Sequence, residues 1–138
     1  ADVWIINSDN KILIQKRSSL KRLEPNVWAM TGGSVIVGEN SLETIVREAK
    51  EELNIDIEKD NLKLITKFRT GNVWIDTYIL KCDYDISKMK FQEDEVSDAK
   101  WATWKEIDDL VKNEQFIKHR WEFVNKILKE EIKKNEQK

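Results

Sequence analysis

The chain has 138 residues, 40% hydrophobic and 36% charged, with a formal net charge of -2. That length suits one domain with its own core, spanning residues 1–138, and the composition is globular rather than disordered. The charge balance argues against bulk affinity for nucleic acid, no apolar run approaches a membrane span, and one cysteine with one histidine leaves no internal disulfide and no Cys/His zinc site.

The first residues, "ADVWIIN", are already strand-like and lack an initiator Met, so an upstream segment is expected in the natural protein. Together with the single Cys82, the lack of a leader signature fits a reducing cytoplasm. "DVWIIN" and "KILIQKR" flank the turn signal "SDN" and read as a hairpin. "SSLKRLEPN", with the only proline, reads as a loop, and "VWAMTGGSVIV" as strand, glycine turn, strand. A helix is expected over about 41–53. A second hairpin follows, turning at Gly71 and Asn72, and then a short strand in "SDAKWATW". Thr103 with Glu106 has capping-box spacing and starts a helix. From about Glu114, Phe116, Phe123, Val124, Ile127 and Leu128 recur at roughly helical spacing, ending in a charged tail expected to fray over 133–138. Hairpins interleaved with helices imply a mixed sheet covered by helices. Most of the six tryptophans are expected in the core or a pocket wall.

The helix over 41–53 carries the chemistry. Asn40 and Glu43 match an N-cap with its reciprocal carboxylate. Leu42, Ile45, Val46, Ala49 and Leu53 form one apolar face. Glu48, Glu51 and Glu52 fall at i, i+3 and i+4 on the side away from it, so their carboxylates converge. Each like-charge pair costs about 0.2–0.5 kcal/mol in an isolated helix, and the helix dipole disfavours anions in the C-terminal half. A solvated acidic face would tolerate that. A hard divalent cation would offset it, because such ions take carboxylate oxygens.

The flanks separate the two readings. Gly33 is followed by five residues, Glu39, seven residues, Arg47-Glu48, two residues, Glu51-Glu52, one residue, then Asn54 and Ile55. This resembles the Nudix box of the Nudix hydrolase family, G-x5-E-x7-R-E-U-x-E-E-x-G-U with U apolar. Asn54 replaces the final glycine, a conservative change if the position is left-handed.

The resemblance implies an α/β fold, an α/β/α sandwich around a mixed sheet. It implies Mg²⁺ or Mn²⁺ dependence and hydrolysis of a diphosphate linkage in a small-molecule, nucleotide-derived substrate, either a nucleoside diphosphate derivative or a nucleoside triphosphate. Glu48, Glu51 and Glu52 are then the metal ligands, with the carbonyl of Gly32 or Gly33 as a further one and Glu39 and Arg47 in support. Glu52, Glu95 and Glu51 are candidates for the carboxylate that takes a proton from water. Family members often dimerise, although no stretch of this chain announces an interface.

Outside the box, Arg17 follows a strand and is a candidate phosphate contact, while Trp28 and Trp74 are candidates to stack on a base. Cys82 is expected as a small apolar residue and His119 as a surface residue. "KRSSLKRLEPNVWAMTGG" and "EDEV" also resemble the branch containing isopentenyl-diphosphate isomerases, which need a catalytic cysteine; Cys82 lies outside such a motif. A catalytically silent sensor on the same scaffold predicts a degraded box, and every charged position here is intact.

Overall fold

A computed structural model describes residues 1–117 and 119–136. The strands are β1 (Asp2–Ile6), β2 (Ile12–Arg17), β3 (Trp28–Ala29), β4 (Thr31–Gly32), β5 (Lys63–Thr70), β6 (Val73–Lys81) and β7 (Val96–Ala102). The helices are α1 (Ser41–Leu53), α2 (Trp104–Lys112) and α3 (Trp121–Glu136). One sheet runs in the order β3-β2-β1-β6-β5, with β4 also on β1 and β7 also on β2. β1 is parallel to β6, and the other pairs are antiparallel, so the sheet is mixed.

Alternation along the central strands makes two cores. Val3, Ile5 and Leu13 point to one face and pack with Ile45, Ala49 and Leu53 of α1. Trp4, Ile6, Ile12 and Ile14 point to the other and pack with Ile107 of α2 and Trp121, Val124 and Leu128 of α3. Helices therefore cover both faces, the expected α/β/α sandwich. Both predicted capping boxes form, Asn40 with Glu43 and Thr103 with Glu106. Asn54 caps α1 in the left-handed region, at φ 54 and ψ 41.

Three expectations are corrected. The stretch after the glycines is not a strand: residues 34–37 form an irregular segment whose Val35, Ile36 and Val37 are exposed. Among the described residues no strand pairs with it. The last helix starts at Trp121, not near Glu114. Phe116 instead bridges to Trp28, and His119 sits before the helix at φ 69. Glu52 does not lie on the open side of α1; it is 7% exposed, against the sheet. Helix α3 runs on to Glu136, into the stretch expected to fray; residues 137 and 138 lie outside the described residues.

Candidate functional site

The two glycines bring α1 and the sheet together. Gly32 lies in β4 opposite Asp2 of β1, where a Cβ would stand 2.5 Å from the Ala1 carbonyl oxygen. Gly33 exchanges both backbone hydrogen bonds with Ala1, at 3.0 and 2.9 Å. A Cβ on Gly33 would stand 2.5 Å from the Glu48 carboxyl carbon. Each glycine thus has its own steric reason: one lets two strands meet, the other lets a carboxylate reach the backbone.

Arg47 braces the acidic groups. Its Nε and Nη2 donate to the two oxygens of Glu39 at 3.1 and 2.8 Å, and Nη1 donates to Glu48 at 2.9 Å and Glu51 at 3.2 Å. The Thr44 hydroxyl donates to Glu39 at 2.7 Å. The Arg47 guanidinium, with Thr44, holds the Glu39 carboxyl down to about 2. Glu39 is therefore an ionised anchor that fixes the planar fork of Arg47. Lys50 does not compensate the cluster; it pairs with Asp56.

Glu52 has a different environment. Gln15 Nε2 donates to its Oε2 at 2.6 Å, and the Thr31 hydroxyl donates to Gln15 Oε1 at 3.1 Å. Glu52 Oε1 is buried and accepts no hydrogen bond among the described residues. Burial, with the Glu48 carboxyl alongside, pushes Glu52 up to about 8. An uncompensated buried carboxylate is costly, so it keeps a proton unless a cation arrives.

Glu95 reaches the site because the segment before β7 is tied to α1. Gln92 N–H donates to the Glu52 carbonyl and Lys90 N–H to that of Leu53. Glu95 pairs with Lys21 from the loop over 18–27. Glu48, Glu51, Glu52 and Glu95 line one cavity of about 420 Å³, with Gln15, Arg47 and Gly33.

The other sequence candidates fall differently. Arg17 lines the same cavity, but its guanidinium donates to the carbonyls of Glu24 and Leu23 at 3.0 and 2.8 Å. It ties down the loop. Trp28 lies on the α3 side of the sheet with Lys100 over its ring, outside the cavity lining. Trp74 is 68% exposed and lines a neighbouring cavity. Cys82 lines a separate cavity with Ile6 and Asn7. The sequence reading passed over Gln15. Its signal was parity: Gln15 shares a strand face with core Leu13, so a polar side chain there faces inward.

The donor set suits a hard divalent cation. It is all oxygen, one buried carboxylate oxygen lacks a partner, and the glycine leaves a space that a Cβ would fill. Among the described residues no three His, Cys, Asp or Glu groups stand close enough to ligate as they are, with Arg47 serving as counter-charge to Glu48 and Glu51.

Comparison with known proteins agrees with the sequence pattern. The family model described as NUDIX domain matches residues 1–126. An uncharacterized Nudix hydrolase of Listeria monocytogenes is 31% identical over 127 residues, covering 91% of this chain and 74% of that protein. An RNA pyrophosphohydrolase of Pelagibacter ubique is 30% identical, over 93% of this chain and 89% of that one. The crystal structure of DR0079 from Deinococcus radiodurans matches with a TM-score of 0.75 and 27% identity, over 91% of this chain and 80% of that one.

Proposed function

The chain belongs to the Nudix family, and on that premise we propose that it is a divalent-cation-dependent pyrophosphohydrolase acting on a nucleotide-derived diphosphate. One observation carries the reading. Glu52 is fixed by Gln15 with its second oxygen buried and unpartnered beside Glu48, in a cavity also lined by Glu51 and Glu95. A purely structural glutamate would be paired at both oxygens or exposed.

In this proposal Glu48, Glu51 and Glu52 hold Mg²⁺ or Mn²⁺, with the Gly32 carbonyl as a further ligand. When bound, the cation neutralises diphosphate oxygens and acidifies a water. The protein's own groups do the rest. Gln15 and Thr31 orient Glu52. Arg47, locked by Glu39, sets the direction of Glu48 and Glu51. We assign the proton from the attacking water to Glu95, a reading supported by its position on the cavity lining and by its being less buried than Glu52. Lys21, its partner, faces incoming phosphate charge. Gly33 keeps Glu48 close to the backbone.

The relative from Pelagibacter ubique bears the name RNA pyrophosphohydrolase, which supports a phosphoanhydride as the bond cleaved. An isomerase reading finds no support in Cys82, which lines a cavity distinct from that of the glutamates. The test is a hydrolysis panel with Mg²⁺ and Mn²⁺. It would cover nucleoside triphosphates, ADP-ribose, dinucleoside polyphosphates, nucleotide sugars and isopentenyl diphosphate. Metal-dependent release of phosphate, pyrophosphate or a nucleoside monophosphate from one class is the expected result. Tight binding without cleavage of any compound would replace this reading with a sensor.

A further inference from the structure

Each of the three glutamates proposed as ligands has one carboxylate oxygen taken by a protein donor and one left over. Arg47 Nη1 donates to Glu48 Oε1 at 2.9 Å and to Glu51 Oε2 at 3.2 Å. Gln15 Nε2 donates to Glu52 Oε2 at 2.6 Å. No protein donor among the described residues makes a hydrogen bond to the other oxygens, Glu48 Oε2, Glu51 Oε1 and Glu52 Oε1. We propose that this pattern sets cation selectivity: Gln15, steadied by Thr31, limits Glu52 to one ligating oxygen, which shifts the site toward Mg²⁺ and Mn²⁺ and away from Ca²⁺. The inference rests on the reading of Glu48, Glu51 and Glu52 as cation ligands, and it makes Gln15 and Thr31 positioning residues for that site.

The number of open oxygens bears on which cation fits. Mg²⁺ takes about six oxygens in a tight, near-octahedral shell and keeps several of them as water. Ca²⁺ is larger, takes up to about eight, and readily accepts both oxygens of one carboxylate. Mn²⁺ shares the octahedral oxygen preference of Mg²⁺. Three carboxylates held to one oxygen each suit the smaller shell and deny Ca²⁺ its extra contacts.

The restraint is firmest at Glu52. Glu51 is half exposed and can swivel away from Arg47. Glu52 is buried, and so are Gln15 and Thr31. The Thr31 hydroxyl donates to Gln15 Oε1 at 3.1 Å, so the amide is held at both ends. The three side chains come from β4, β2 and α1, which ties this line of bonds to the frame of the fold rather than to a loop. Turning the amide over would set Gln15 Oε1 against Glu52 Oε2. Both are acceptors, so Nε2 stays on the carboxylate when that group is ionised. The remaining oxygen, Glu52 Oε1, stands beside the Glu48 carboxyl, which leaves a place for a proton or a cation between them.

The test is calorimetric titration of Mg²⁺ and of Ca²⁺ into the parent, Q15M, T31V and T31S. Q15M keeps the size of the side chain and removes the amide donor. The ratio of Mg²⁺ affinity to Ca²⁺ affinity should then fall by about tenfold. T31V should move the ratio the same way by about threefold, and T31S, which keeps the hydroxyl, should restore it to within about twofold of the parent. A contact that only supports the fold would weaken both cations alike. Proton competition at Glu52 also acts on both and cancels in the ratio. A ratio unchanged in Q15M and T31V, or shifted toward Mg²⁺, would overturn the proposal, and the two Thr31 variants carry the test if Q15M does not fold. A parent that binds neither cation overturns it together with the metal-site reading. Hydrolysis of the diphosphate panel is read separately. A shifted ratio with no cleavage of any compound removes the pyrophosphohydrolase and keeps the selectivity device. Cleavage with an unshifted ratio does the reverse.

Discussion

Gln15 donates its amide to Glu52 at 2.6 Å from the opposite wall of the cavity, and that single bond decides which carboxylate oxygen is left open. The donor comes from β2 and the acceptor from the last turn of α1, so the pair also measures how closely helix and sheet are packed. Replacing Glu52 with Gln keeps the shape and removes the charge. Turnover should fall by about a hundredfold or more, as expected when a metal-holding group is lost. The melting temperature should hold or rise, because a buried carboxylate beside Glu48 is relieved. Steady-state kinetics with a melting curve checks both. Turnover at the parent rate would remove Glu52 from the chemistry.

Gly33→Ala tests the steric cradle. A Cβ there would lie 2.5 Å from the Glu48 carboxyl carbon, so Glu48 must move. Glu48 is tied to Arg47 at its carboxylate and is a flexible side chain that can give way. Activity and Mg²⁺ affinity should therefore drop by about tenfold or more, with the fold retained. Metal titration by calorimetry beside circular dichroism distinguishes this from unfolding.

Stability should depend on pH in a direction set by Glu52. Its folded value, about 8, lies above the ordinary 4.5. The folded protein then holds a proton that the unfolded chain has released. The contribution is fully present below about pH 4.5, declines as pH rises toward 8, and is level beyond. Asp2, also raised by its burial, acts in the same sense. In chelator, the melting temperature should fall between pH 5 and pH 8, and E52Q should flatten the slope. Mg²⁺ should raise the melting temperature more at pH 8 than at pH 5, since binding requires the ionised carboxylate. Equal Mg²⁺ effects at both pH values would argue against Glu52 as a ligand.

Glu95→Gln separates proton transfer from cation binding. If Glu95 takes the proton, the turnover number should fall by about 10²–10⁴-fold with Mg²⁺ affinity nearly intact. E52Q should lose both. A parallel loss of Mg²⁺ affinity in E95Q would move Glu95 into the ligand set instead.

Asn54→Ala addresses the helix end. Asn54 caps α1 with φ 54, where a side chain lacking the polar reach of Asn is disfavoured. A loss of about 1 kcal/mol in chemical denaturation is expected, and Asn54→Gly should match or exceed the parent.

Much of α1 could be read directly from the chain. Its bounds, both capping groups and the face built by Ile45, Ala49 and Leu53 all follow from local spacing, which the tertiary fold does not override. The two hairpins and β7 were legible for the same reason. What escaped depended on contacts distant in sequence. Glu52 looks exposed on a helical wheel, and only the approach of β2, with Gln15, buries it. The stretch 35–37 has strand composition but pairs with no strand among the described residues. Asp2 seems an ordinary polar residue at a strand end until β6 and Arg120 close around it. The glutamate spacing was visible and the resemblance implied support from Arg47 and Glu39, but how the loop over 33–39 folds back onto α1 to pair them was not legible.

The pleat of β1 divides labour between the two sides of the sheet. Asp2 shares its parity with Trp4 and Ile6, toward α3, while the carboxylates of α1 sit behind Val3 and Ile5. Substitutions in the core on the α3 side are therefore separated from the acidic helix by the thickness of the sheet. Gly32 and Gly33, beside Asp2 and Glu48, form a seam between the two sides, so a side chain added there would press on both.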